Sequence, residues 1–252
     1  MTSGNHLVSV IIPVYNGERY LGGAIGNVLT QDYRPIEIIV VNDGSTDNTE
    51  TVARHHKRDI IYVSQENRGP AAARNKGLQT ASGDVIGFLD VDDLWTGNKL
   101  SVQLARLAED SSVEIVMGLT QLMKLESYEE SRPRFKKWHD PFCAFLFGAA
   151  VFKRSVFEKA GVFDETLHHG EDTEWFMRIR EMGISTALIE EVSLLYRWHE
   201  TNMTLDSATR NRYFIKALKK SLDRRRRKNC SRVVSLPRLF LGGDESPESK
   251  NE

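Results

Sequence analysis

Asp90-Val91-Asp92-Asp93 follows the apolar run Gly87-Phe88-Leu89 and places three carboxylates within four residues. Like charges so close repel one another unless a cation joins them, and oxygen ligands of this kind suit Mg²⁺ or Mn²⁺. On an extended chain Asp90 and Asp92 point to one side and Asp93 to the other. The same residues also read, without any metal, as an acidic turn that caps the next helix with Asp92 or Asp93 at its N-cap. A second acidic pair, Glu171-Asp172, opens a segment carrying Trp175 and Phe176. Asp172 precedes these two by three and four positions, so on a helix it shares their buried face. A carboxylate aimed inward is a candidate general base. The competing reading is charge complementarity at a helix N-terminus, whose dipole works against basicity.

Three further residues have a chemical reading beside a plainer one. Asp43, within Val41-Asn42-Asp43-Gly44-Ser45, either accepts a ring N–H such as uracil offers or closes an Asx-turn. Arg74 either reaches a diphosphate or lies exposed on its helix. His199 is either a metal ligand or a surface histidine at a strand end. His55-His56 and His168-His169 have no chelating spacing and receive no function. The chain has no G-x-x-x-x-G-K-[ST], and Gly22, Gly23 and Gly26 do not make G-x-G-x-x-G. P-loop hydrolase and nicotinamide dehydrogenase readings lose their main support.

These residues need elements to position them. Val8 to Val14, Ile36 to Val41, Ile60 to Val63 and Val85 to Leu89 are apolar runs that read as buried strands. Tyr20, Leu21, Ala24, Ile25, Val28 and Leu29 make one helical stripe. Thr46 to Lys57, with Ser45 or Thr46 as N-cap, and Gly69 to Thr80 read as the next two helices. Four alternations of strand and helix predict an open, mostly parallel, doubly wound α/β sheet flanked by helices. Ligands of such sheets sit beyond the carboxyl ends of the strands. Tyr15-Asn16, Asn42-Asp43 and Asp90 to Asp93 all follow strand ends, so the candidate site lies on that edge. Beyond it come a helix from Asn98 to Glu109, a strand from Val113 to Leu119, a mobile loop or irregular hairpin over 126–140, and a strand from Phe142 to Phe152. A helix from Glu171 to Met182 and a strand from Val192 to Trp198 follow.

The chain's 252 residues are 40% hydrophobic and 27% charged, a soluble globular composition. A net charge of -1 predicts no nucleic-acid partner. Cys143 and Cys230 support neither a zinc cage nor a disulfide framework. The N-terminus does not read as a signal peptide, and no apolar run reaches the ~20 residues that span a bilayer. A cytoplasmic protein is expected, with any membrane contact peripheral.

In order along the chain, VSVIIPVYNGERYL, EIIVVNDGSTDNT, NRGPAAARNKGLQTASGDVIGFLDVDD, FGAAVFKRSVFEKAGVFDE, GEDTEWFMRI and YRWHETNMT resemble the family 2 glycosyltransferases of GT-A fold. The resemblance spans Val8 to about Thr204. It implies a domain over 1–204, with a nucleotide-sugar half to about residue 110 and a smaller acceptor half from about 111. It further implies that Pro13, Tyr15 and Asp43 hold base and ribose, with Asn67 and Arg74 nearby. Asp90, Val91 and Asp92 match the D-x-D element, with Asp90 on the ribose side and Asp92 on the Mn²⁺ or Mg²⁺ that bridges the diphosphate. His199 matches a histidine that joins that metal or diphosphate. Asp172 matches the base that deprotonates the acceptor, with Glu171 beside it. Such enzymes move a sugar from a nucleotide-sugar donor, here favoured as UDP-linked, to a glycan or lipid-linked acceptor, with inversion. The rival classes are a non-catalytic nucleotide-sugar-binding module and a nucleotidyltransferase; Val14 to Glu18 lacks the Gly-rich basic loop that the latter needs. Tyr128 to Cys143 carries no family pattern, and its Trp138 reads equally as an acceptor platform or a packing residue. Residues 205–252 lie outside the resemblance: a helix over Ile215 to Leu222, the basic run Arg224 to Lys228 and the apolar Leu236 to Leu241. This tail is either solvated or touches anionic membrane.

Overall fold

A computed structural model of the chain describes residues 6–129, 132–167, 169–200, 202 and 207–227. Its first half is the predicted alternation. Strands β1 (Val8–Val14), β2 (Ile36–Asp43), β3 (Ile61–Gln65) and β4 (Val85–Phe88) run parallel in the order β3-β2-β1-β4. Every residue of β1 and β4 is buried, which is why these strands read as unbroken apolar runs rather than alternating ones. Helices α1 (Leu21–Leu29), α2 (Thr49–His55) and α3 (Pro70–Thr80) make the crossovers. Helix α3 presses on β1 so closely that a Cβ on Gly77 would come within 2.3 Å of Ile11 Cγ2.

Helix α2 starts three residues later than Thr46. The Asp47 carboxylate accepts from the Thr49 backbone N–H (3.0 Å), the Thr49 hydroxyl (2.5 Å) and the Glu18 N–H (3.0 Å). Residues 45–48 are thereby spent on tying the β2 loop to the β1 loop. Asn16, in the left-handed region at φ 50°, completes the tie: its N–H donates to Ser45 Oγ, and its Oδ1 accepts from the Thr46 N–H.

The second half extends the same sheet. Strands β5 (Leu94–Trp95), β6 (Ile115–Glu129), β8 (Ala150–Lys153) and β9 (Thr186–Trp198) continue it as β4-β8-β6-β9-β5, and β7 (Arg132–Lys137) pairs with β6. Here the directions mix: β8 is antiparallel to β4 and β6, while β9 is parallel to β6. Of the two readings of 126–140, β6 and β7 follow the irregular hairpin: they pair antiparallel from Met123 with Lys137 to Glu129 with Arg132, with a register shift between Leu125 and Ser127. The expected strand from Phe142 to Phe152 is mostly not one. Phe142 makes a single bridge to Thr120, Phe147–Ala149 is a 3₁₀ turn, and only Ala150–Lys153 is extended. Gly148 in that turn packs against Leu194, and the turn sends Phe147 into an aromatic cluster with Phe163, Trp175 and Phe176.

Helices α4 (Lys99–Glu109), α5 (Ser155–Ala160), α6 (Glu171–Glu181) and α7 (Ser207–Arg227) cover this half. Lys99 is 1% exposed, a position its type did not predict. Its Nζ donates to the Ala150 carbonyl at 3.1 Å and lies 3.7 Å over the Trp95 ring. Burial alone pushes its pKa well below the usual lysine range. Helix α7 is longer than Ile215 to Leu222, and it packs on α6. Arg224 Nε donates to Glu181 Oε2 at 2.8 Å, a second Arg224 nitrogen reaches Glu174, and Ser221 Oγ donates to Glu181 Oε1 at 2.5 Å. Part of the basic run therefore holds two helices together. Leu236 to Leu241 and Cys230 lie outside the described residues, and Cys143 is a free, exposed thiol. No described helix is long and apolar enough to cross a membrane.

Candidate active site

Parallel pairing of β2, β1 and β4 brings their carboxyl ends to one edge. Pro13 is buried in β1, paired with Val41. Tyr15, just past the strand, is 52% exposed. Gly44 takes φ 73° and lies directly against the Asn67 backbone, which seats exposed Asn67 beside the β2 loop. Asp43 is buried and fully engaged: Oδ1 accepts from Gln65 Nε2 (2.7 Å) and the Arg68 N–H (2.9 Å), and Oδ2 from the Gly69 N–H (2.8 Å). Its neighbour Asn42 makes the local turn instead, accepting from the Ser45 N–H at 2.9 Å.

The acidic turn after β4 is not extended, and it caps no helix. The Asp93 N–H donates back to the Asp90 carbonyl at 3.0 Å, and Leu94–Trp95 then pairs with β9. The three carboxylates diverge as a result. Asp90 turns towards α3, where its Oδ1 takes Arg74 Nη2 at 2.6 Å. Asp92 turns towards the end of β9: its Oδ2 lies 3.1 Å from His199 Nε2 and 3.4 Å from Asn202 Nδ2. Asp93 is buried and accepts the Arg197 N–H at 2.8 Å. Burial, then the charges of Asp92 and Asp90, hold its pKa well above the carboxylate range. Val91 packs against Gly17 of the β1 loop.

Arg74 is neither exposed on α3 nor open to a diphosphate. Its side chain is 7% exposed and lies between Asp90 and Glu171, ion-paired to both, with the guanidinium over the Phe147 ring at 5.4 Å. Sequence positions 97 apart thus meet in one buried cluster. Three carboxylates, Asp90, Glu171 and Asp172, face this single cation. Burial outweighs Arg74 at Glu171, whose pKa is raised to about 7. The conflict over Asp172 resolves in the same direction. Its Oδ1 accepts from the Thr173 N–H at the start of α6 (2.6 Å), yet burial exceeds that bond and the pKa is raised. Raising a carboxylate's pKa makes it a stronger proton acceptor than a free aspartate.

Metal binding can be tested on the donor set. Two ligands at right angles on a hard divalent ion with bonds of about 2.1 Å lie roughly 3 Å apart, and Asp92 Oδ2 and His199 Nε2 are separated by 3.1 Å. No group of three or more His, Cys, Asp or Glu that could hold a metal occurs among the described residues. The pair, at hydrogen-bond distance in this structure, could supply two ligands of such an ion, with water and phosphate oxygens completing its shell.

Two contributors went unread in the sequence. Arg197 stacks on Tyr20 (5.2 Å) and donates through Nε to the Asp92 carbonyl; Tyr20 in turn stacks on His199 with ring centroids 5.1 Å apart. The signal was present in β9, where period-2 alternation puts Arg197 on the face of His199.

Comparison with known proteins bears on the family and the fold. The sequence model "Glycosyl transferase family 2" matches residues 9–161. An uncharacterized glycosyltransferase of Rickettsia typhi is 35% identical over 212 residues, which are 79% of this chain and 66% of that protein. The mannosyltransferase PcManGT of Pyrobaculum calidifontis, in complex with GDP-Man and Mn²⁺, superposes with a TM-score of 0.68 at 21% identity, over 94% of this chain and 68% of its own. S. aureus TarS 1-349 in complex with UDP-GlcNAc gives 0.63 at 18% identity, over 86% and 72%. The fold is α/β of GT-A type, and acidic residues stand at the carboxyl edge of its mostly parallel sheet. The chain belongs to glycosyl transferase family 2. It spans 66% of the length of its Rickettsia typhi relative.

Proposed function

We propose that the chain transfers a sugar from a nucleoside-diphosphate donor, UDP-linked, to a hydroxyl of a glycan or lipid-linked acceptor in cell-surface polysaccharide synthesis, inverting the anomeric carbon. The observation that carries this reading is Arg74, which joins Asp90 of the donor edge to Glu171 beside the candidate base. Pro13, Tyr15, Asp43 and Asn67 take the base and ribose, and Asp43 does so as the acceptor that orders the β3–α3 loop. Asp90 and Val91 form the donor floor. Asp92 and His199 would hold Mn²⁺ or Mg²⁺, which when bound neutralises charge on the departing diphosphate. Asp172 takes the proton of the acceptor hydroxyl as its oxygen bonds to the anomeric carbon and the bond to the diphosphate breaks. Glu171 and Arg74 hold that wall in place.

A screen of sugar nucleotides with Mn²⁺, following nucleoside diphosphate release, tests this. Release from at least one donor is expected. A donor that binds without ever being turned over would favour the non-catalytic module.

The cellular setting is part of the proposal: cytoplasmic, with the basic-apolar tail from Arg224 onward touching anionic membrane. Arg224 is spent on α6, which leaves exposed Arg226 and Arg227 and the residues after them for the contact. In flotation with phosphatidylglycerol vesicles the full chain should rise and a chain lacking residues 224–252 should not. Equal flotation removes the membrane role.

A further inference from the structure

The β6–β7 hairpin ends in an open cleft of about 530 Å³, lined by Gln121, Lys137, Trp138, His139, Asp140 and Pro141. The donor edge and the acidic cluster described above do not use it. We propose that this cleft is an acceptor subsite that holds a neutral pyranose ring against Trp138; the proposal rests on the transferase reading and adds its acceptor class.

Position is the first argument. The Trp138 N–H donates to the Leu122 carbonyl at 3.0 Å, and Leu122 pairs with Tyr196 of β9. The Trp138 backbone therefore stands two strand spacings, roughly 10 Å, from β9, the strand that delivers His199, while its ring reaches back to Trp198 at the end of β9. That distance suits a sugar one or two units away from the reacting hydroxyl. The hairpin is also tied to the acidic turn: Phe135 of β7 packs under the Arg197 guanidinium at 5.2 Å, and Arg197 bonds to Asp92 and Asp93.

Chemistry is the second. The Trp138 indole is 41% exposed, and it is held rather than loose. It meets Trp198 edge to face at 5.9 Å and His139 at 4.6 Å, and Lys124 Nζ sits 5.2 Å from its centroid. The floor is preformed, because buried Gln121 donates through Nε2 to the carbonyls of His139 (2.5 Å) and Leu122 (3.0 Å). A rigid aromatic surface suits the C–H face of a sugar, and the polar groups around it suit its hydroxyls. Lys137 and Asp140 bring both signs of charge, which disfavours a phosphate or a carboxylate-rich ligand. So polar a rim is equally unsuited to an acyl chain.

The test is retention of the full-length protein on a printed array of neutral oligosaccharides, for the wild type, Trp138→Ala and Trp138→Phe. The same wild-type preparation is assayed for nucleoside diphosphate release from sugar nucleotides with Mn²⁺ and no acceptor. Expected is retention of at least one glycan class by the wild type, a loss of about tenfold or more in Trp138→Ala, and recovery to within about threefold in Trp138→Phe. Equal retention by wild type and Trp138→Ala overturns the subsite. Donor turnover by a wild type that retains no glycan overturns the subsite and leaves the transferase reading standing. Absence of both overturns the two together.

Discussion

Asp172→Asn should lower sugar transfer by about 10²–10⁴-fold, the usual worth of a positioned general base, while donor affinity stays within about twofold. The substitution keeps shape and the hydrogen bonds from Thr173 but removes the proton acceptor. Isothermal titration with the donor and initial rates with acceptor separate the two quantities. The pH profile adds an independent check. Because burial raises the Asp172 pKa above the ordinary 3.8, the wild-type rate should fall on acidification with a midpoint above that value. A rate that stays flat down to pH 4, or an Asn variant as active as wild type, would remove Asp172 from the role.

Arg74→Met should cost about 3–5 kcal/mol of folding stability at pH 8, as expected when one member of a buried ion pair is removed and the other left. The pH dependence has a definite sign. Burial raises the Glu171 pKa in the folded state to about 7 from the ordinary 4.5, so the folded state binds the extra proton between those values. Its contribution to stability is full below 4.5 and is lost as pH rises through 7. In the variant the cation that softens this loss is gone, and the destabilisation should shrink at pH 5, where Glu171 is already protonated. Urea midpoints at the two pH values measure it. Equal losses at pH 5 and pH 8 would mean that Arg74 does not neutralise Glu171.

What could be read in the sequence was what local chain chemistry dictates. Strands buried on both faces leave apolar runs, and Tyr15-Asn16, Asn42-Asp43 and Asp90 to Asp93 mark where they stop. Parallel order then places those stops on one edge. Contacts between distant positions were not legible. Nothing near Arg74 announces Glu171, and nothing near Asp43 announces Gln65, Arg68 and Gly69 as its donors. Phe142 to Phe152 shows a different limit. An apolar run records burial, and here burial came from a 3₁₀ turn feeding an aromatic cluster rather than from a strand. The direction of the Asp172 pKa needed coordinates because burial and the hydrogen bond from Thr173 oppose each other there. The basic run at the end of α7 misleads for a related reason: Glu174 and Glu181, which accept Arg224, lie 50 and 43 residues earlier.

The proposed transfer depends on a divalent ion that Asp92 and His199 would hold. The most direct measurement is nucleoside diphosphate release from the accepted donor after exhaustive EDTA treatment, with Mn²⁺ then restored, for wild type and Asp92→Ala. Release should stop with EDTA, return with Mn²⁺ in the wild type, and stay absent in Asp92→Ala. Undiminished release from metal-stripped wild type, or from Asp92→Ala, would contradict it.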